Sequence, residues 1–312
     1  MTEIICGVDV SSDALDARIG RAGAETCIAA TPEGVAGLAA FCREHQVTLV
    51  VMEATGGYEK LVHALLWSHG VPAAIVNPRA VRQFAEAMGF LEKTDRIDAG
   101  VIAWYADTKH IRAQEPASEA QEHLKALVTR LRQLTELRTM QSNQRRLIGD
   151  PDVNGLFSEL MALIARQTRE LETKIAALID SDPVWRKLDK SFRSIKGVAD
   201  RTVARIMAEM PEIGTLSNKA VGKLAGLAPL AKDSGKSKGK RVTRGGRANL
   251  RNILFVVVET VRRHNPVFAA FHKRLTDAGK PKKVIRVALA HKLLVQLNAK
   301  ARDARKEFAF AA

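Results

Sequence analysis

The feature that most constrains the fold is an alternation of short apolar runs with amphipathic segments across residues 1–115. The apolar runs are predicted strands, and they cover residues 4–10, 14–19, 25–30, 48–54 and 73–76. Apolar residues at helical spacing predict helices over 33–45 and 59–68, and Pro78 suits the first turn of the next helix. This alternation indicates an α/β domain.

The predicted element order is βββαβαβα, which is that of the ribonuclease-H-like fold, although the alternation alone fits several α/β folds. In that fold the first and fourth strands lie side by side. Asp9 is in the first predicted strand and Glu53 is at the end of the fourth. We therefore expect these two carboxylates to be neighbours.

Two further carboxylates, Asp95 and Asp98, stand three residues apart at the start of a predicted helix. They share a helix face, and two like charges on one face repel each other unless a cation lies between them. The alternative is a pair of solvated acids flanking Arg96. Acids in buried strands are costly unless they are paired or bind metal. Asp9, Glu53, Asp95 and Asp98 together would suit two-metal phosphodiester chemistry with Mg²⁺ or Mn²⁺.

The net charge of +15 is unevenly distributed along the 312 residues. Residues 1–115 hold 10 Lys+Arg and 15 Asp+Glu, whereas residues 192–312 hold 27 and 8, a net of +19. A basic last domain predicts a polyanionic partner such as DNA. No apolar run approaches the roughly 20 residues that cross a bilayer, and the N-terminus carries no basic signal-like region. Three cysteines without CxxC spacing predict reduced thiols and no zinc site. We expect a cytoplasmic, nucleoid-associated protein without a membrane partner.

Residues 116–190 show leucines at three- and four-residue steps from Leu124 to Leu137, and a second apolar run from Leu156 to Leu178. Asp150-Pro151 and Asn154-Gly155 are predicted to break the helix between them. This pattern predicts an antiparallel helical hairpin or coiled coil, which would serve as a spacer or dimerisation arm. The alternative is packing onto the chain's own domain.

Residues 191–312 are predicted to be mostly helical. Residues 192–210 resemble a helix-hairpin-helix phosphate binder with one glycine where that motif has two, and an ordinary helical turn is the alternative. Residues 232–247 contain cations, glycines and two serines, Ser234 and Ser237, with almost no apolar residues. This segment is either a flexible basic linker or a loop ordered by phosphate contacts. The predicted nucleic-acid contacts are Lys232, Lys236, Lys238, Lys240, Arg241, Arg244, Arg247 and Arg251.

Taken together, these residues resemble the Piv/MooV-type, or DEDD, transposases of bacterial insertion sequences. This insertion-sequence-110-type family is described as bridge-RNA-guided recombinases. The resemblance covers nearly the whole chain. Its markers, in chain order, are residues 7–11 (GVDVS), 52–58 (MEATGGY), 77–78 (NP), 93–99 (KTDRIDA) and 226–229 (GLAP) followed by Ser234-Gly235.

The resemblance implies a RuvC-like (ribonuclease-H-like) domain over 1–115, a coiled-coil arm over 116–190 and a basic transposase domain over 191–312. It implies that Asp9, Glu53, Asp95 and Asp98 bind Mg²⁺. It also implies a serine nucleophile, by motif position Ser234, with Ser237 as the alternative. The partners implied are double-stranded DNA, a structured guide RNA and further copies of the chain in a dimer or tetramer, whose subunits share composite sites.

Two other functions fit the residues alone. One is a RuvC-like junction resolvase or nuclease that uses only the four carboxylates and water. The other is a nucleic-acid-binding protein with a degenerate catalytic domain.

Overall fold

The computed structural model describes residues 3–90, 95–231, 233–235, 237–239 and 241–311, and within these it leaves the side chains of residues 95–98, 237–238 and 309–311 undescribed. The chain divides into two compact units, residues 1–117 and 118–312. Each unit has its own hydrophobic core. In the described residues, no helix combines the length and the apolar character needed to cross a membrane.

The first unit is built on a five-stranded sheet with the order β3-β2-β1-β4-β5. The strands are β1 (Ile5–Val10), β2 (Ala14–Ile19), β3 (Glu25–Ala29), β4 (Leu49–Glu53) and β5 (Ala73–Val76). The helices are α1 (Pro32–Glu44), α2 (Tyr58–Ser68), α3 (Pro78–Ala87) and α4 (Asp95–Lys109). β1 is antiparallel to β2 and parallel to β4. The predicted element order and the adjacency of the first and fourth strands are confirmed.

The two faces of this sheet have separate cores, because alternate residues of a strand point to opposite faces. Cys6, Val8 and Val10 of β1 pack with residues of α1 and α2. Ile5 of β1 packs with Leu49 and Val51 of β4 and with residues of α3 and α4. Asp9 lies four residues after Ile5, and Glu53 lies two residues after Val51. Both therefore belong to the face of the sheet that α3 and α4 cover.

The contact between β1 and α4 is made through a glycine. A Cβ atom at Gly7 would lie 2.0 Å from the carbonyl oxygen of Ala99 and 2.7 Å from the amide nitrogen of Ala103. Both are backbone atoms of a helix, which cannot rotate away as a flexible side chain can. Only glycine at position 7 lets α4 approach the strand this closely.

The three cysteines of the chain all lie in the first unit. Cys6 and Cys42 are buried, Cys27 is exposed, and all three are free. The hydrogen bond between the Cys6 and Cys42 thiols raises the pKa of Cys6 well above its usual value and lowers the pKa of Cys42.

In its described residues, the second unit contains mainly helices and four two-residue strands. Its helices are α5 (Glu119–Arg145), α6 (Pro151–Ser181), α7 (Pro183–Arg193), α8 (Asp200–Glu209), α9 (Asn218–Leu224), α10 (Ala248–His264), α11 (Pro266–Asp277) and α12 (Lys282–Ala311). The short strands are β6 (Pro229–Leu230), β7 (Asp233–Ser234), β8 (Ser237–Lys238) and β9 (Val242–Thr243).

One hydrophobic core joins the first half of α5 and the last part of α6 to the helices that follow them. Leu124 and Leu131 of α5 and Ile175 of α6 are buried in it beside Phe192 and Leu289. The buried amide of Gln121 donates to the Met207 and Ala208 carbonyls of α8, which ties the start of α5 to this core. The base of the predicted arm thus packs in the same compact unit as the predicted transposase domain.

A buried asparagine organises the other side of this unit. Asn298 of α12 accepts from the Gly214 amide at 2.9 Å and donates to the Leu216 carbonyl and to Asn218 Oδ1, both at 3.0 Å. Its amide is fully buried, so these bonds offset the cost of desolvating it. They hold α12 against the connection between α8 and α9.

The break between α5 and α6 is shorter than predicted. Asp150 caps α6 by accepting from the Val153 amide at 3.0 Å, and Pro151 occupies the first turn, so this half of the predicted break is confirmed. Asn154 and Gly155 lie within α6, and their prediction as a break was wrong. The Asn154 amide donates back to the Ile148 and Asp150 carbonyls, which stabilises the first turn instead of ending it.

The segment that resembles a phosphate-binding hairpin is packed as an ordinary turn. Gly197, with φ of +97°, lies between α7 and α8, and a Cβ there would be 2.7 Å from Cα of Val261 in α10. Asp200 opens α8, and it forms an ion pair with Arg193 at 3.1 Å. The glycine therefore serves helix packing, and the acid disfavours a phosphate at this helix start.

We predict that Gly7→Ala lowers the free energy of unfolding by about 1–3 kcal/mol, because the new methyl group must displace the backbone of α4. Gly37→Ala is the matched control. Gly37 lies on the exposed side of α1, and its nearest neighbour would be 3.9 Å away. We expect that control to gain about 0.5–1 kcal/mol from helix propensity. Urea denaturation of the full chain checks both, and an unchanged urea midpoint for Gly7→Ala would contradict the packing argument.

Candidate functional site

Asp9 and Glu53 lie at the carboxyl ends of two adjacent parallel strands. Val8 of β1 is paired with Met52 of β4, so each carboxylate follows its paired neighbour by one residue. Both residues are partly buried, and both interact with other groups of the protein. The strand register therefore brings together two of the four predicted metal ligands.

The other two predicted ligands, Asp95 and Asp98, are in the first turn of α4, which begins at Asp95. Ala99 follows Asp98 directly, and its carbonyl oxygen is the atom closest to the missing Cβ of Gly7. Gly7 and Asp9 are two residues apart in β1 and so face the same side of the sheet. The backbone of this first turn consequently lies on the Asp9 side, while the Asp95 and Asp98 side chains are outside the described residues, as is Lys93.

Among the side chains that the structure describes, no group of three or more His, Cys, Asp or Glu is arranged to hold a metal ion. That set contains Asp9 and Glu53 without Asp95 and Asp98. The donors that are described fit Mg²⁺ or Mn²⁺ chemically, because carboxylate oxygens are the ligands such hard cations prefer.

The sequence analysis did not identify two acids near the carboxyl ends of β1 and β4. Glu59 of α2 is buried, and its Oε2 accepts from the Thr55 and Gly57 amides, each at 2.9 Å, which fixes the turn after Glu53. Asp16 of β2 is the direct cross-strand partner of Asp9. Glu59 could have been predicted from its place in the first turn of a predicted helix. Asp16 could have been predicted from the alternation of residues 14–19.

The predicted nucleophile lies on a small β-hairpin in the second unit. Ser234 ends β7, its residue partner in β8 is Ser237, and Gly235 begins the turn between them with φ of +55°. Ser234 is exposed. The two candidate serines thus face each other across the same turn, and the Ser237 side chain is not among those described.

The hairpin is ordered by contacts within itself and at its base. Asp233 accepts from Arg241 at 2.7 Å and from the Gly239 amide at 3.1 Å, so it ties β7 to the residues that follow β8. At the base, a Cβ on Gly226 would lie 2.1 Å from the Gly245 carbonyl oxygen, and one on Gly246 would lie 2.2 Å from the Gly226 amide nitrogen. The segment is therefore a structured hairpin with a tightly packed base, not a linker.

Comparison with known proteins identifies the family. A DEDD transposase model of the IS110 type matches residues 6–148, and a model described as the transposase IS116/IS110/IS902 family matches residues 189–273. Pilin gene-inverting proteins from Moraxella lacunata and Moraxella bovis are each 30% identical over 255 residues, covering 78% of this chain and 77% of the relative. The chain belongs to the IS110-type family of DEDD transposases. It is a DNA transposase or recombinase.

The predicted DNA-contacting cations of this IS110-type transposase differ in what they contact. Lys232, Lys236 and Lys240, together with the Lys238 side chain, lie outside the described residues. Arg244 is exposed, and Arg251 donates to the Gly245 carbonyl at 2.5 Å. Arg247 is held by Glu212 at 2.5 and 2.9 Å and donates to the Glu209 carbonyl at 2.6 Å.

We predict that Arg247→Gln lowers the free energy of unfolding by about 1–2 kcal/mol, because it leaves Glu212 and the Glu209 carbonyl without their partner. Arg244→Gln removes the same charge from the same segment. We expect it to leave stability within about 0.5 kcal/mol and to weaken DNA binding. Urea denaturation and titration with a labelled duplex separate the two roles. Equal losses of stability in both variants would contradict this assignment.

Proposed function

We propose that this transposase cuts and rejoins DNA with a four-carboxylate metal site and a serine nucleophile. The observation that carries the proposal is the placement of Asp9 and Glu53 at the ends of neighbouring strands, on the face where α4 begins with Asp95 and Asp98. Carboxylates that share one region of a fold repel each other, and a bound divalent cation offsets that repulsion, which supports a metal site here.

In this proposal Asp9, Glu53, Asp95 and Asp98 hold two Mg²⁺ or Mn²⁺ ions. Bound there, the ions would activate the attacking oxygen and stabilise the leaving oxygen of a phosphodiester. The carboxylates themselves fix the geometry, and Glu59 supports Glu53 by holding the backbone turn that follows it. The donor set, oxygen only, is the support for this choice of metal.

The proposed nucleophile is the Ser234 hydroxyl. As the Oγ–P bond forms, one P–O bond of the DNA backbone breaks, and the departing oxygen takes up a proton in exchange for the one that serine loses. Because one phosphodiester replaces another, the strand can be rejoined without an outside energy source. The exposure of Ser234 beside a hairpin turn supports access to DNA, and neighbouring cations would offset the phosphate charge.

The proposed partners are double-stranded DNA, a structured guide RNA and further copies of this chain. The net charge of +19 over residues 192–312 supports a polyanionic partner without distinguishing RNA from DNA. The printed name of the Moraxella relatives describes inversion of a gene, which supports recombination between two DNA sites. Leu147 and Leu156 are 86% and 66% exposed near the α5–α6 turn, which supports self-association as a dimer or tetramer through this end.

The serine is tested by trapping the reaction on a nicked DNA substrate. We expect the native protein and Ser237→Ala to form a covalent protein–DNA adduct, and Ser234→Ala to form none while its DNA affinity stays within about twofold, since a single exposed hydroxyl adds little to binding. Loss of the adduct only in Ser237→Ala would move the assignment to that residue. Cleaved DNA without an adduct from any of the proteins would favour a RuvC-like nuclease that uses water.

The carboxylates are tested with the double variant Asp95→Asn, Asp98→Asn. We expect recombination to fall by at least about 100-fold, because the metal contribution amounts to several kcal/mol. Calorimetry should show weakened Mn²⁺ binding as an independent measurement. Asp107→Asn is the control, since this exposed acid lies on the same helix away from the first turn. Unchanged recombination in the double variant would favour a nucleic-acid-binding role without catalysis by this domain.

A further inference from the structure

A strongly basic groove lies between α10, α11 and the start of α12, and none of its described lining residues belongs to the hairpin. It encloses about 800 Å³, and Phe255 and Ile285 form part of its wall. Five cationic side chains line it: Arg262 of α10, Lys280 of the α11–α12 connection, and Lys282, Lys283 and Arg286 of α12. The three lysines are exposed, and the two arginines are partly buried.

The groove has a large excess of positive charge. Glu259 is the one acid among its described lining residues. It is shared between Arg262 at 3.0 Å and Arg286 at 3.4 Å, so a single carboxylate serves two guanidinium groups. Among the described residues, Lys280, Lys282 and Lys283 have no ion-pair partner. The five cations and one acid leave the groove at about +4, more than one bound phosphate could neutralise.

Arg286 is held in a fixed orientation. Its guanidinium carbon lies 4.1 Å from the centre of the Phe255 ring, and its Nε donates to the Phe255 carbonyl at 2.7 Å. The two terminal nitrogens make no hydrogen bond with a described residue. A guanidinium stacked on a ring, with its outer nitrogens available, is suited to bidentate contact with a phosphate.

Two of the lysines lie at the N-terminus of a helix, where a positive charge is unfavourable. Lys282 and Lys283 open the 30-residue helix α12, whose first turn contains no acid. Positive side chains at the positive end of a helix dipole are repelled by it. An anion bound in the groove would offset this repulsion, so the position of the two lysines adds support for an anionic ligand.

We propose that this groove binds the phosphodiester backbone of duplex DNA. It would be a second DNA contact, in addition to the one at the Ser234 hairpin. Duplex DNA presents one negative charge per roughly 1.7 Å of its axis, which matches several cations spread over two helices and the connection before α12. The inference rests on the proposed function only in taking DNA as the polyanion. It requires neither the metal site nor the serine.

The test is equilibrium binding of a labelled DNA duplex at a series of salt concentrations, with the full-length Ser234→Ala protein as background so that no cutting occurs. Each phosphate contact contributes about 0.9 to the slope of log affinity against log salt. We expect the triple variant Lys280→Gln, Lys282→Gln, Lys283→Gln to reduce that slope by about 2 to 3, since it removes up to three contacts.

A second triple variant carries the same charge change elsewhere. Lys174, Lys190 and Lys306 are exposed on α6, α7 and the far part of α12, and none of them lines the groove. We expect Lys174→Gln, Lys190→Gln, Lys306→Gln to change the slope by less than about 1, because long-range screening makes distant charges weak. The proposal is overturned if the groove variant keeps the native slope, or if the control loses as much.

An RNA duplex of the same length separates the two nucleic acids. A loss of slope seen with RNA and not with DNA would overturn the assignment to DNA. Recombination assays on the native background are read separately: a protein inactive in recombination whose groove variant still loses DNA slope would refute the proposed function and leave this inference standing.

Discussion

The close contact between Gly7 and the backbone of α4 is the constraint on which the first unit depends. A strand and a helix normally stand apart by the size of the side chains between them. Here the absence of a side chain at position 7 allows the Ala99 carbonyl and the Ala103 amide to approach the strand directly. The first turns of α4 are thereby held against the face of the sheet to which Asp9 also belongs.

In the other unit, two glycines likewise allow a close approach of backbone to backbone. Gly226 and Gly246 let the two ends of the hairpin segment pack backbone to backbone, while Asp233 bonds to Arg241 and to the Gly239 amide, which follow β8. The turn that carries Ser234 is thus exposed on a firmly packed base. An exposed hydroxyl on such a base is accessible to a large substrate and still has a defined position, which a flexible linker could not provide.

The positive charge of the chain serves two purposes. Arg247 forms an ion pair with Glu212 at the base of the hairpin, and Arg193 forms ion pairs with Asp189 and Asp200 around the α7–α8 turn. In contrast, Lys280, Lys282 and Lys283 have no ion-pair partner among the described residues, and the first turn of α12 contains no acid. A count of cations along the sequence treats these groups as equal, because pairing depends on neighbours that are remote in the chain, such as Glu212 for Arg247.

Much of the fold was predictable from local patterns. The strands over 14–19 and 73–76, the capped start of α3 at Asn77-Pro78 and the first turn of α4 at Asp95 all follow from apolar alternation, capping and helix propensity, which act over a few residues. Asn154-Gly155 was misjudged because a side-chain bond from Asn154 to preceding carbonyls outweighs the usual meaning of that pair. Glu59 and Asp16 were missed because their importance arises from a turn and a strand pairing.

The sequence by itself determined the element types, the uneven charge and the residue types that carry the family's motifs, since these depend on side-chain chemistry and on spacing within a few turns. Only the tertiary structure decided that Asp9 and Glu53 are neighbours in register, that Gly197 packs against Val261, and that the basic loop is a hairpin. Such contacts join residues far apart in the chain, and their energy comes from packing and hydrogen bonds that exist only once the chain has folded.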